Sequence, residues 1–423
     1  MFIVYDLIFL LFTLVYLPLY LLRGKFHRGF SRRLGKLPVD LNLDRPIWIH
    51  AVSVGEAVSI KNLVVELRRA YPQKKLVIST VTTTGNKIAQ GLIKEGDFLT
   101  YLPLDFSFIV SRVLKRINPC LFIIAETEIW PNLICALEKQ KIPIITVNGR
   151  ISDSSYAGYR AIKLCIRPIL NKVTHFCVQS ERDALRLQDL GVDKTRIKVT
   201  GNVKFDIPLT LNAGLNSADY RQKLFLGAND KLWVCGSTHP GEEELILKAY
   251  QELLVAFPAL KLLIAPRHPE RGRNIGEIVS GYGFAPVFVS SISSACPTCI
   301  NKPVFVLDII GHLLNFYSAA DIVFVGGSLV KRGGHNILEP ASLKKPIIFG
   351  PHMFNFRDIT RLFLENKAGF MVENLGQLTD RIKTILGDDV LAEELGLRAY
   401  ALIASNSGAT GRNIQIIKGL KLL

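Results

Sequence analysis

From Pro46 onward, short apolar runs alternate with segments of helical period, and the pattern occurs twice along the chain. The first set is Ile47-Trp48-Ile49-His50-Ala51-Val52, Leu76-Val77-Ile78-Ser79-Thr80, Leu121-Phe122-Ile123-Ile124-Ala125, Ile142-Pro143-Ile144-Ile145-Thr146-Val147 and His175-Phe176-Cys177-Val178. Near-continuous apolar character marks strands buried on both faces, and helices such as that over residues 57–70 supply the crossovers a parallel sheet needs. After a polar stretch ending near residue 217, the alternation restarts with Leu232-Trp233-Val234-Cys235-Gly236 and a helix from Gly241. It continues through residues 260–265, 287–289, 304–307, 322–325 and 346–349. A chain of 423 residues is too long for one ordinary core. The predicted architecture is therefore α/β, two doubly wound domains facing a cleft, with ligands at the carboxyl ends of both sheets. The expected divisions are residues 1–39 as anchor and basic flank, 40–206 as first domain, 207–217 as linker and 218–423 as second domain. The closing helices within residues 391–423 are placed to cross back onto the first domain.

Residues 2–22 are almost entirely apolar, interrupted by Asp6 and Pro18. As a helix such a run is ~30 Å long, enough to span or embed in a bilayer. No basic segment precedes it and no small-residue cleavage site follows, which argues against a cleaved signal peptide. Arg23, Lys25, Arg28, Arg32, Arg33 and Lys36 come next, with no acid before Asp40. That asymmetry puts the remainder of the chain on the cytoplasmic side and offers cations to anionic lipid headgroups.

The whole chain carries 52 Lys and Arg against 36 Asp and Glu, a formal charge of +16, which favours an acidic partner. The bases are dispersed, without RNA-binding aromatic motif, zinc-finger spacing or helix-turn-helix, so nucleic acid is not the expected partner. Seven cysteines, several in apolar runs, read as small buried residues of a reducing compartment, and the one C-x-x-C, Cys296-Pro297-Thr298-Cys299, reads as a loop. No metal-ligand cluster is apparent.

Chemistry concentrates where strands end. Asp321-Ile322-Val323-Phe324-Val325 runs into Gly326-Gly327-Ser328 and on through Gly333-Gly334-His335-Asn336 to Glu339. Glycines let backbone N–H groups approach an anion, so a phosphate is expected in this loop. A helix starting near His335 would set Asn336 and Glu339 on one face, the acid facing ribose hydroxyls; a capping Asn and an ordinary helical Glu is the competing reading. Glu56, in Ser53-Val54-Gly55-Glu56, opens the first helix, whose N-terminus keeps a carboxylate ionised well below neutrality; that suits a general base needing a free carboxylate but weakens its basicity, so a nearby acid or desolvation would have to raise the pKa again. The competing reading is a first-turn Glu that complements the helix dipole. Glu126 and Glu128 follow a fully apolar strand, either as groups that tune Glu56 or as a cap for the helix starting at Pro131. In the second half, Gly236-Ser237-Thr238-His239 and Ala265-Pro266-Arg267-His268 end two strands, and the planar fork of Arg267 suits a phosphate, although a surface arginine on a proline-rich turn has the same pattern.

These segments together resemble the Kdo transferases, which move 3-deoxy-D-manno-oct-2-ulosonic acid from CMP-Kdo to a lipid A precursor. The likeness runs over nearly the whole chain: the basic start, His50-Ala51-Val52-Ser53-Val54-Gly55-Glu56, Glu126-Thr127-Glu128-Ile129-Trp130-Pro131-Asn132, Thr200-Gly201-Asn202-Val203-Lys204-Phe205-Asp206, Ser237-Thr238-His239, Pro266-Arg267-His268-Pro269-Glu270-Arg271 and the glycine segment through Glu339. The resemblance implies a GT-B fold of two Rossmann-like domains facing a cleft with an N-terminal membrane helix. It implies Glu56 as proton acceptor, Glu126 and Lys204 as transition-state stabilisers, and CMP contacts at Pro266, Arg267, Ile310, Gly311, His312, Asn336, Ile337, Leu338 and Glu339. One stretch departs: where the family usually reads Asp-Thr-Met-Gly-Glu, this chain has Asp308-Ile309-Ile310-Gly311-His312. The implied reaction is an inverting transfer without metal or cofactor, at the inner membrane on its cytoplasmic face. A membrane-surface glycosyltransferase using a UDP-sugar, or a non-catalytic membrane-anchored binder, are the alternatives.

Overall fold

The structure is a computed structural model that describes residues 5–7, 9–11, 13–15, 29–206, 216–292, 302–420 and 422. It divides into two units, residues 1–207 with 406–423, and residues 208–405.

The first unit holds strands β1 (Ile47–His50), β2 (Leu76–Thr80), β3 (Phe98–Tyr101), β4 (Leu121–Ala125), β5 (Ile144–Gly149), β6 (His175–Val178) and β7 (Ile197–Val199). They form a 7-stranded parallel sheet in the order β3-β2-β1-β4-β5-β6-β7. The chain winds outward one way from β1 and the other way from β4, so the topological switch point lies between these two strands. Successive residues face opposite sides: Trp48 and Phe122 join one buried cluster, Ile47, Ile49 and Ile123 the other. Ile414 and Ile417 of the helix Ala409–Gly419 pack in that second cluster, and Asp206 accepts the Gly408 and Thr410 N–H groups, both at 2.6 Å. Residues 406–423 therefore count with the first unit, onto which the closing helices were placed to cross back, although the expected division grouped them in 218–423.

The second unit repeats the plan with β8 (Lys231–Thr238), β9 (Leu260–Pro266), β10 (Ala285–Phe288), β11 (Pro303–Val306), β12 (Ile322–Val325), β13 (Ile347–Phe349) and β14 (Phe370–Met371). The order is β10-β11-β9-β8-β12-β13-β14, again parallel, with the switch point between β8 and β12. Sequence patterning did not find β3, β7 and β14. All three lie toward sheet edges, and β7 and β14 are partly exposed, so they lack the continuous apolar signature of a doubly covered strand.

Asp6, which interrupts the apolar start, has a structural partner. Its carboxylate accepts the Ser107 N–H (3.1 Å), the Ser107 hydroxyl (2.5 Å) and the Asn132 amide (2.7 Å). The described part of the first segment is helical and is thereby held against the starts of helices Ser107–Ile117 and Pro131–Lys139. Among the described residues no helix is long and apolar enough to cross a membrane. Much of the 2–22 run, Arg23, Lys25, Arg28 and the Cys296–Cys299 pair lie outside the described residues. Within the basic flank, Arg33 is only 8% exposed and its Nε donates to Leu102 O (3.3 Å), while Arg32 Nη1 donates to Leu99 O (2.7 Å). These two cations tie the flank to the region of β3.

Candidate active site

Ser53 ends the extended chain after β1 and is the N-cap of the helix Val54–Ser59, which makes Glu56 the third helical residue. The Glu56 side chain turns back on its own helix start: the Val52 N–H donates to Oε2 (2.7 Å) and the Ser53 hydroxyl to Oε1 (3.0 Å). The carboxylate thus does local capping work, but it is also buried, with the residue only 8% exposed. Burial pushes its pKa up to about 7, helped by the charges of Glu126 and Glu128 and opposed by the Val52 and Ser53 hydrogen bonds. The expectation of a carboxylate ionised well below neutrality is overturned, because desolvation outweighs the helix terminus. His50, at the end of β1, is fully buried against Ser79, and burial holds it neutral with its pKa pushed down to about 3.

β4 lies beside β1, so the residues leaving it share the same carboxyl edge. Glu126 makes the last β4–β5 ladder bond, donating its N–H to Val147 O at 2.9 Å, and then adopts φ +57. That left-handed conformation is costly for a residue with a side chain, and it sits at the switch point. Glu128 is raised in pKa by burial and then by Glu126. Neither acid caps the next helix. Asp105 does, accepting the N–H groups of Asn132 (3.1 Å) and Leu133 (2.9 Å), which removes the capping alternative.

Lys204 follows β7, four strand spacings from β1, or about 19 Å along the sheet. The turn Val203–Phe205 folds back toward the centre: the Val203 N–H donates to Asn148 Oδ1 of β5 (3.2 Å) and the Asn202 amide to Gln179 Oε1 (3.0 Å). Buried Asn148, one residue past the apolar run read from the sequence, is the anchor of that turn.

In the second unit the glycine loop is already occupied by the protein's own anion. Glu242, completely buried, accepts the N–H groups of Gly327 (2.7 Å), Ser328 (3.0 Å), Leu329 (3.0 Å) and His239 (2.9 Å). The phosphate expected on this part of the loop has no free amides to meet, so that expectation is corrected. Gly326 answers to packing instead, since a Cβ there would lie 2.7 Å from Ser237 O and Thr238 Cα. In sequence, Glu242 looks like one of three acids complementing a helix start, and nothing local distinguishes it.

The remaining candidates leave the same carboxyl edge from β9, β11 and β12. Pro266 closes β9; Arg267 fixes its backbone on Thr238 O (3.0 Å) and exposes its side chain. Ile310 is 80% exposed, Gly311 takes φ +91, and His312 lies with Nδ1 3.4 Å from the Tyr220 hydroxyl, which gives this departure from the family pattern a partner within the unit. The helix begins at Leu338 rather than near His335. Asn336 still bridges to Glu339, donating to Oε1 at 3.0 Å and accepting the Leu338 N–H at 3.2 Å. Burial raises the Glu339 pKa, against the Asn336 hydrogen bond and the charge of Arg267. Ile337 and Leu338 are buried in the core, so only their backbones can face a ligand. Among the described residues no group of three or more His, Cys, Asp or Glu is arranged to hold a metal ion.

Comparison with known proteins bears on the same segments. The family model described as 3-deoxy-D-manno-octulosonic-acid transferase (Kdo transferase) matches residues 28–207. The 3-deoxy-D-manno-octulosonic acid transferase of Haemophilus influenzae is 35% identical over 373 residues, covering 88% of this chain and 86% of that one. The chain belongs to the Kdo transferase family. Two solved structures share the family member's fold at low identity. UDP-GlcNAc 2-epimerase from Neisseria meningitidis, bound to UDP-GlcNAc, gives a TM-score of 0.58 at 14% identity over 88% of this chain and 100% of that one. A glycosyltransferase from Rickettsia africae gives 0.55 at 16% identity over 89% and 98%. The two parallel-sheet units thus resemble GT-B glycosyltransferases.

Proposed function

We propose that this member of the Kdo transferase family transfers Kdo from CMP-Kdo to a lipid A precursor by a single inverting displacement. The observation that carries the reading is Glu56, a buried carboxylate with a pKa near 7 beside two further acids at the switch point of the first sheet. A base poised near the working pH is what abstraction of a hydroxyl proton requires. In the proposed step the acceptor hydroxyl oxygen attacks the anomeric carbon of Kdo while its proton passes to Glu56. The bond from that carbon to the phosphate oxygen breaks, and CMP departs with the electron pair. Glu126 and Lys204 act on the oxocarbenium-like transition state, Glu126 from a strained backbone that fixes its direction. A non-catalytic binder has no use for a buried carboxylate of this kind.

The second unit holds the nucleotide in this reading. Arg267 meets the phosphate and Glu339, oriented by Asn336, meets ribose hydroxyls. Arg267→Ala and Glu339→Ala are each expected to weaken CMP binding by about 1–3 kcal/mol, the worth of a charge-assisted hydrogen bond, as calorimetry would read. Unchanged CMP affinity in both variants would move the donor site elsewhere.

The acceptor is a phosphorylated glycolipid, which fits the formal charge of +16 and the exposed Leu7, Leu10, Leu11, Leu14 and Val15 of the first segment. We place the protein at the inner membrane with both units on the cytoplasmic face. Incubation with CMP-Kdo and a tetraacylated lipid A precursor, followed by mass spectrometry, reports donor, acceptor and number of additions. Transfer from a UDP-sugar, or competition by UMP as strong as by CMP, overturns the donor assignment.

A further inference from the structure

We propose that His239 and His335 form a proton-accepting seat for the phosphate of the nucleotide, a role that rests on the donor reading above and adds two residues to it. The two imidazoles leave the ends of β8 and β12, the neighbours at the switch point of the second sheet. Their rings meet edge to edge, Nε2 to Nε2 at 2.9 Å, with centroids 5.2 Å apart and planes 5° from parallel. One nitrogen must donate and the other accept, so the neutral pair shares a single N–H between the rings. The arrangement is built rather than accidental. Glu242 accepts the backbone N–H of His239 and three amides of the loop that leads to His335, so one buried carboxylate holds both segments.

The charged groups around the pair leave positive charge in excess. Arg267, Arg271, Arg332 and His268 all act on His239, and Arg267 and His268 act on His335. On the negative side, Glu243 is paired with Arg271 at 2.8 Å, Glu242 is taken up by its four N–H donors, and Glu339 is engaged by Asn336. Arg267, whose charge also acts on Glu339, and Arg332 therefore face the pair with no ion-pair partner among these carboxylates. An oxyanion completes the group, and a phosphate monoester supplies more charge than any other part of the donor or product.

Burial, followed by the nearby cations, holds His239 below the ordinary histidine value and His335 down at about 4, so both are neutral near pH 7 without a ligand. A phosphate that takes the place of the Nε2-to-Nε2 bond reverses that balance and draws a proton onto the pair, so that both Nε2–H groups donate to it. Since the bound value then lies above the free one, affinity is fully present below the free-state pKa and is lost as pH rises through the bound-state value. The same preference favours CMP as its phosphate gains charge on leaving the sugar.

Calorimetry of the full chain near neutral pH, in two buffers of different ionisation enthalpy, counts the protons. Up to one proton is expected to be taken up with CMP and with inorganic phosphate and none with cytidine, and CMP affinity should fall by up to about tenfold per pH unit between the free-state and bound-state pKa values and level off above the latter. His239→Gln and His335→Gln should abolish the uptake and flatten the slope. The phosphate's own protonation is common to parent and variants, so the difference belongs to the histidines. Absence of uptake by the parent with both phosphate ligands overturns the seat whether or not a variant folds, as does unchanged uptake in both variants. CMP binding without uptake removes the seat and leaves the donor reading standing. Phosphate binding with uptake, where CMP does not bind, keeps the seat and removes the donor reading.

Discussion

Replacing Glu56 by glutamine is expected to lower turnover by about 10²–10⁴-fold while CMP affinity stays near that of the parent, because in the proposed reading a general base is lost and the nucleotide is assigned to the other unit. The pH profile gives the same residue a second signature. With its pKa pushed up to about 7, Glu56 is largely protonated in mildly acidic solution, so the parent's rate should climb with pH and level off above about 7. Stability moves the other way. The folded state binds a proton more tightly than the unfolded chain between the ordinary glutamate range and about 7, so ionising Glu56 costs folding free energy as pH rises through that window. The melting temperature of Glu56→Gln should therefore gain on the parent's from mildly acidic to mildly alkaline pH. A purely dipole-complementing glutamate predicts near-parental turnover and no such gain, and that pair of results would redirect attention to Glu126 or Glu128.

Glu242→Ala should be among the most destabilising substitutions in the second unit. It strands the N–H groups of Gly327, Ser328, Leu329 and His239, all served by one buried carboxylate. Each unsatisfied buried donor costs about 1–3 kcal/mol, and removing one partner of a buried charged network typically costs about 3–5 kcal/mol in all. Urea unfolding should show that loss, and CMP binding should weaken with it as His239 and the loop before His335 come free. A midpoint equal to the parent's would mean the loop is held by something other than Glu242.

The two cases differ in how much could be read from the chain. Glu56 stands in a local pattern, Ser53-Val54-Gly55-Glu56 after an apolar strand, and that pattern correctly marked a helix start at a sheet's carboxyl edge. Its ionisation was misjudged because the helix terminus is visible in sequence while the burial that outweighs it is not. For Glu242 the misreading ran deeper. The glycine loop looked like an empty anion site, but the anion that fills it comes from 85 residues earlier in the chain. Asp105 capping the helix after β4, and Asp6 reaching Ser107 and Asn132, are hidden for the same reason.

What the sequence determined by itself was the alternation of doubly buried strands with helices, the existence of two such sets, and the ends of strands at which polar residues collect. These depend on burial periodicity over a few neighbours, which the chain carries locally. Only the tertiary structure decided which strands lie side by side, and so that Glu126 belongs with Glu56 and His239 with His335. It also decided which acids are spent on backbone amides and which stay available. Pairing and desolvation are relations between segments far apart in the chain, and no window along the sequence contains both partners.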